Sequence, residues 1–211
     1  MNIFNKFIVA SFLYFLMILI EGCSSSVLVD VWSDPSFNEA PLKNILVIAV
    51  RKNPIKRRIW EDAFVSELSK CGVMATSSYH FFPDALPDTN QVIQTIEEKG
   101  FDGILLSTIL LPGTESRFVE GTVTEESVSR YNEFQKRYDV YYQVVEHPGY
   151  IDSVIVDRRL IDVWITRSKR RLIWSATSNS PENTAVEDVQ NVVADLVVDE
   201  LKSDAIIKSA K

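Results

Sequence analysis

The sequence predicts a three-layer α/β domain with a mixed sheet: a parallel β-α-β-α-β core, an antiparallel meander and a C-terminal helix. Three observations lead there. Ile45–Val50 is an unbroken aliphatic run and Ile104–Leu110 is aliphatic apart from Ser107-Thr108, the mark of strands buried on both faces. Segments with apolar residues at helical spacing alternate with such runs, the grammar of crossover connections in a parallel sheet. Beyond residue 137 the pattern changes to β-prone runs separated by short polar turns, which fits antiparallel pairing.

The elements follow in order. Val27–Trp32 is β-prone and closed by Ser33-Asp34-Pro35, and a loop with Pro41 leads into the strand at 45–50. Asn53-Pro54 is a helix start, an N-cap followed by proline at the first helical position. In that helix Trp60, Phe64 and Leu68 recur on one face beside Ala63, and Gly72 is the expected stop. Val73–Tyr79 predicts a second strand and residues 81–87 a loop. Thr89 is the expected cap of a helix carrying Val92, Ile93 and Ile96, stopped by Gly100. Gly103–Leu110 is the next strand.

Residues 112–136 are polar, with Gly113, Gly121 and acids that include Glu120, Glu125 and Glu126; they predict a long loop, the least ordered part of the domain. Tyr138–Val145, Ser153–Ile165 and Arg171–Ala176 predict the three-stranded meander, with turns at His147-Pro148-Gly149 and Arg167-Ser168-Lys169. Val186, Val189, Val193, Leu196, Val197 and Leu201 trace an amphipathic stripe on a helix from about Asn183.

Length and composition fit one domain. Of 211 residues, 46% are apolar and 24% charged, and 22 basic against 29 acidic residues leave a net charge of −7. The acidity argues against nucleic acid, which selects a basic face. Two Cys and two His leave almost no material for a disulfide framework or a four-ligand zinc site.

The first 22 residues have the form of a targeting segment. Asn2–Lys6 is a short polar start with one positive charge, and Phe7–Ile20 is an apolar run of fourteen residues. A helical bilayer span needs about 20 residues, so the run suits the core of a secretory signal better. It ends at Ile20-Glu21-Gly22-Cys23, which resembles a bacterial lipobox, with Glu21 departing from the usual uncharged residue. The resemblance implies a signal peptide over 1–22, lipidation (diacylglyceryl and palmitate) of Cys23, a tether over 23–26 and one periplasmic α/β domain over 27–211. Ser24 after the Cys implies the outer rather than the inner membrane. Cys71 is then the remaining thiol, expected to be inert and buried.

Trp32-Ser33-Asp34-Pro35, the strand at 45–50, Arg58-Ile59-Trp60-Glu61-Asp62-Ala63-Phe64 and Leu172-Ile173-Trp174-Ser175 resemble a family of small bacterial envelope lipoproteins of unknown function. The order of elements is also similar to the amino-terminal domain of TolB and to the curli-secretion lipoprotein, an analogy of fold that transfers no activity.

Motifs of catalysis do not emerge. His80 and His147 lack metal-ligand spacing, and no GxSxG, GxGxxG or GxxxxGK[ST] is present. Glu61-Asp62 is an adjacent pair whose side chains diverge by about 100° on a helix, so a place in the early helix is expected of it. Lys56-Arg57-Arg58 and Lys169-Arg170-Arg171 are expected to be solvated. No catalytic residue, cofactor or metal is therefore expected. Tyr131, Phe134, Tyr138, Tyr141, Tyr142 and Tyr150 cluster beside the long loop, and aromatic residues favour interfaces, so they are the candidate partner surface. Membrane-spanning hairpins are not expected, because Glu125 and Glu126 interrupt the apolar residues of 117–130. The expected function is a non-enzymatic accessory or adaptor of the cell envelope. Its expected contacts are the membrane, through the N-terminal lipid, and envelope proteins. The alternatives are a subunit of a secretion or assembly complex and a periplasmic small-ligand binder.

Overall fold

The computed structural model describes residues 26–167, 170–181 and 186–208; for Arg117, Tyr131 and residues 186–188 it describes the backbone alone. The elements are β1 Val27–Ser33, β2 Asn44–Val50, α1 Pro54–Lys70, β3 Met74–Ser77, a 3-10 turn Ser78–His80, α2 Thr89–Lys99, β4 Gly103–Ile109, β5 Gly113–Val119, β6 Thr122–Asn132, β7 Arg137–His147, β8 Tyr150–Ile165, β9 Arg171–Pro181 and α3 Val186–Ser203. The main sheet runs β1-β9-β8-β4-β2-β3, with β5 also paired to β8. β2 is parallel to β3 and β4, whereas β4–β8, β8–β9 and β1–β9 are antiparallel. The mixed sheet of the expected class is present.

Two helical layers cover this sheet because β2 is apolar on both faces. Ile45, Val47 and Ala49 face α1 and α3, where they pack with Trp60, Phe64, Leu68, Val193, Val197 and Leu201. Leu46 and Ile48 face the other way, against Ile96 and Phe101 beside α2. Val47 and Leu105 are directly paired and fully buried, as the two aliphatic runs predict.

The local signals place the helix ends. Asn53 Oδ1 accepts from Ile55 N and Lys56 N, both at 3.0 Å, and Pro54 occupies the first turn. Gly72 and Gly100, at φ +76° and +68°, take the left-handed conformation that ends α1 and α2 at little cost for a residue without Cβ. The cap of α2 is corrected by one residue. Asp88, not Thr89, caps it, and Gln91 returns the bond to the Asp88 backbone in a capping box.

The larger correction concerns residues 112–136, which are strand rather than loop. β5 and β6 carry Thr114, Phe118, Val119, Thr122, Val123, Thr124, Val128 and Tyr131, a β-prone set interleaved with Ser and Glu. The polar partners lower the mean hydropathy without breaking the strand, because a two-stranded ribbon exposes both of its faces. The meander is corrected accordingly. β7 pairs with β6 and not with β8, and β9 continues past Ala176 to Pro181.

Arg57, expected to be solvated, belongs to the core, and Glu61, expected in the early helix, lies past its first turn and is also in the core. Glu61 is fully buried and Arg57 nearly so. Glu61 accepts from Arg57 Nε at 2.9 Å, Ser78 Oγ at 2.7 Å, Ala49 N at 3.1 Å and Tyr79 N at 3.0 Å. Arg57 also donates to Phe82 O, Ala85 O and Ser78 Oγ. This network ties α1 to β2, to the 3-10 turn and to the 81–87 loop. Asp62 does diverge from Glu61, accepting instead from Ser77 Oγ and Tyr79 Oη. Cys71 is half-buried at the end of α1, rather than buried.

Candidate functional site

The feature that stands apart from the three-layer body is a long two-stranded arm. Gly113↔Val156 and Val119↔Tyr150 pair at its base, and Thr122↔His147 and Asn132↔Arg137 farther out. The numbers in every pair add to the same value, so β5-β6 and β7-β8 form one hairpin in one register. At about 3.3 Å per residue, residues 113–132 extend about 65 Å. β9 ends at Pro181, opposite Val156, and from that pair outward neither edge of the ribbon meets a further strand among the described residues.

The arm starts at a one-residue irregularity. Between the pairs Ile109↔Arg159 and Gly113↔Val156 the β4-β5 side holds one residue more than β8. Leu111 and Pro112 take up this extra length, and such a bulge redirects a strand. A second interruption lies at Glu120-Gly121 and Pro148-Gly149. Proline has no N–H for the ladder, and here the two backbones close on each other. A Cβ on Gly121 would lie 2.5 Å from His147 O, and one on Gly149 would lie 3.0 Å from Val119 O. Only glycine permits that approach, so the expected turn at His147-Pro148-Gly149 is instead a waist in a continuous ribbon.

Asn132 organises the tip. Its Oδ1 accepts from Phe134 N at 3.1 Å and Gln135 N at 3.2 Å, while its Nδ2 donates to Asp139. Arg137 Nε reaches the same carboxylate at 3.0 Å. Lys136, at φ +49°, returns the chain into β7. Phe134 projects from this turn at 101% exposure.

Alternation along β7 sorts the candidate aromatic residues. Tyr138 and Tyr142 share a face with Val140 and Val144, and Val123 lies on the same face of β6. All five are exposed, Tyr138 at 70% and Tyr142 at 75%. The Tyr131 backbone pairs with that of Tyr138. Tyr150 opens β8 on the same side of the ribbon. Tyr141 lies on the opposite face, paired with Val128. The six residues therefore share one arm but not one face. Phe118, Ile151 and Ile155, outside the expected cluster, are also exposed at the base; the β-prone run beginning at Tyr150 is their signal in the sequence.

The arm carries eight acidic residues and four basic ones over 113–156. Glu125, Ser127 and Ser129 lie on the same face as Val140, Tyr142 and Val144. A face of this mixed character suits a protein partner, in which polar groups find hydrogen bonds, better than lipid.

The remaining candidates are separated by the fold. His80 stacks near the Tyr79 ring, 4.4 Å between centroids, and His147 lies at the waist of the arm beside Thr124. Among the described residues no group of three or more His, Cys, Asp and Glu is placed to hold a metal. No described helix is long and apolar enough to cross a membrane. Cys23 lies outside the described residues. Of the basic clusters, Arg57 is buried, and Arg171 pairs with Asp34. A groove of about 440 Å³ lies on the α2 side of the sheet, lined by Ile48, Val50, Leu106, Val92 and Trp164. Its lining is mostly apolar, with Asp88, Thr89, Thr166 and Arg170 as the polar members.

Fold and site together define a mixed α/β domain carrying a projecting β arm. No family model matches the chain, and no curated protein matches it. Solved structures show weak likenesses of fold. A PelC dodecamer from Paraburkholderia phytofirmans aligns with a TM-score of 0.45 and 12% identity, over 87% of this chain and 99% of that one. A PelC variant dodecamer from the same organism gives 0.44 and 12%, over 82% and 96%. A PDZ domain protein from Parabacteroides distasonis gives 0.39 and 13%, over 89% of this chain and 38% of that longer one.

Proposed function

We propose that this chain is a lipid-anchored, outer-membrane protein of the bacterial cell envelope that serves as a non-enzymatic adaptor, engaging protein partners in the periplasm through its β arm. The observation that carries the adaptor reading is the arm's exposed apolar surface. An isolated two-stranded hairpin is marginal in water, and this one extends about 65 Å with aromatic and β-branched residues exposed on both faces. Contiguous exposed apolar surface of this kind marks an interaction site. Support for the anchor comes from the sequence, in the short apolar run that ends at Cys23.

Two experiments test the two halves of this reading. Cys23→Ser is expected to release the protein from the membrane fraction and to abolish labelling by a fatty-acid analogue; an unlabelled wild type overturns the anchor. For the arm, a photo-crosslinking amino acid at position 142 is expected to give a discrete adduct in cells, while the same group at exposed Lys99 on α2 gives none. Val140→Glu is expected to reduce the adduct at least tenfold while leaving the melting temperature within a few degrees, because residue 140 is half-exposed and remote from the core. An adduct with another envelope protein supports the adaptor. One containing only copies of this chain favours the alternative of an assembly subunit. No adduct at the arm overturns both.

A further inference from the structure

Three nearly buried arginines offer a comparison within the one protein. Arg57 is satisfied, with every branch of its guanidinium committed to Glu61, Ser78 or a backbone carbonyl. Arg51 and Arg159 are not. Each is 8% exposed, yet among the described residues Nε and Nη2 of Arg51 and Nε and Nη1 of Arg159 have no hydrogen-bond partner. Trp60 lies close to both, with their guanidinium carbons 4.8 and 4.2 Å from its ring centre. Cation–π contact attracts the charge but leaves the N–H donors unsatisfied. Asp157 approaches Arg159 Nη2 at 3.6 Å from a half-exposed position, a single carboxylate against two guanidinium groups. Burial, followed by repulsion from Arg159, pushes Arg51 down to about 10.

The surroundings of Arg51 suit a small ligand. It follows β2, at the carboxyl end of the parallel pair β2–β4, the edge where open α/β sheets bind ligands. A cavity of about 260 Å³ opens there, lined by Arg51, Lys52, Pro54, Arg57 and Asp84 among others. Lys52 stands exposed at its mouth, and the first turn of α1 forms one wall.

We propose that this cavity binds a small oxyanion, a phosphate or a carboxylate group, held by Arg51 with Lys52 at the entrance and with Arg159 reinforcing the positive potential across Trp60. Arg51 lines the cavity as a nearly buried cation with no hydrogen-bond partner for its Nε and Nη2 among the described residues, which costs free energy in the empty protein. A planar or tetrahedral oxyanion there supplies charge and acceptors to its guanidinium; Arg159, which does not line the cavity, adds positive potential only. The proposal is independent of the arm and of the lipid anchor.

The test is calorimetric and thermal titration of the full chain, in detergent, with inorganic phosphate and, separately, with acetate, at ionic strength held constant by chloride. Saturable binding and a rise in melting temperature are expected with at least one of the two, and the stronger ligand identifies the preferred oxyanion. Arg51→Gln is expected to weaken binding at least tenfold, and Arg159→Gln to weaken it by a smaller factor. Lys52→Gln, at an exposed position that leaves folding unaffected, is expected to weaken it two- to fivefold and serves if the arginine variants do not fold. Absence of saturable binding by both anions, or binding unchanged in Arg51→Gln and Lys52→Gln, overturns the proposal.

Discussion

Glu61→Ala is expected to lower the unfolding free energy by about 3–5 kcal/mol, enough to unfold a domain of ordinary stability. The substitution removes the acceptor shared by Arg57, Ser78 and the backbone N–H groups of Ala49 and Tyr79. Arg57 is then left nearly buried without its carboxylate, and breaking a buried pair from one side costs more than deleting both members. Arg57→Ala is expected to destabilise to a similar degree. The double variant is expected to lose clearly less than the sum of the two single losses, because the second substitution removes a charge already stranded. Denaturant unfolding of the protein measures all three. Equal and additive losses below 1 kcal/mol would mean that the network is dispensable.

The second large effect is expected at the centre of the sheet. Val47→Ala and Leu105→Ala should each cost about 2–4 kcal/mol, the usual range for truncating a core side chain that its neighbours cannot replace. Both residues are fully buried and paired across the parallel β2–β4 ladder. Because they are direct neighbours, the two cavities merge and the double variant should depart from additivity. Met74→Ala on the exposed end of β3 is the control, with a change within about 0.5 kcal/mol. A core variant no more damaging than this control would remove β2 and β4 from the centre of the domain.

The layers were legible in the sequence because their signals are local. Ile45–Val50 alternates between two buried faces, and both sets of positions are apolar, so the run itself announces a strand between two helical layers. The Trp60, Phe64 and Leu68 spacing marks a helix face whatever it packs against. Asn53, Gly72 and Gly100 are stops and starts enforced by backbone chemistry within a few residues. Asp88 was missed in favour of Thr89 because adjacent residues are both good caps, and only the return bond from Gln91 decides between them.

The candidate site was legible only in part. The aromatic residues of 131–150 were visible as a cluster, and the alternation of Tyr138, Val140, Tyr142 and Val144 is present in the sequence. Their partner strand was not recognised, since Glu125, Glu126, Ser127 and Ser129 read as loop when hydropathy is averaged. That average fails for a ribbon with no buried face.

By itself, then, the sequence determined the class of the body: two aliphatic central strands, helices on both sides, the caps that bound them and the amphipathic stripe that closes the fold. Each of these rests on periodicity or on backbone stereochemistry, which neighbours in the chain suffice to express. Only the tertiary structure decided that β5-β6 and β7-β8 keep one register through the waist at Gly121 and Gly149. The same holds for the burial of Glu61 with Arg57 and for the placing of Arg51 and Arg159 beside Trp60 without acceptors. The reason is physical. Whether a charge is solvated, paired or stranded depends on groups brought from distant parts of the chain, and a strand's partner is chosen by register across space rather than by composition along the sequence.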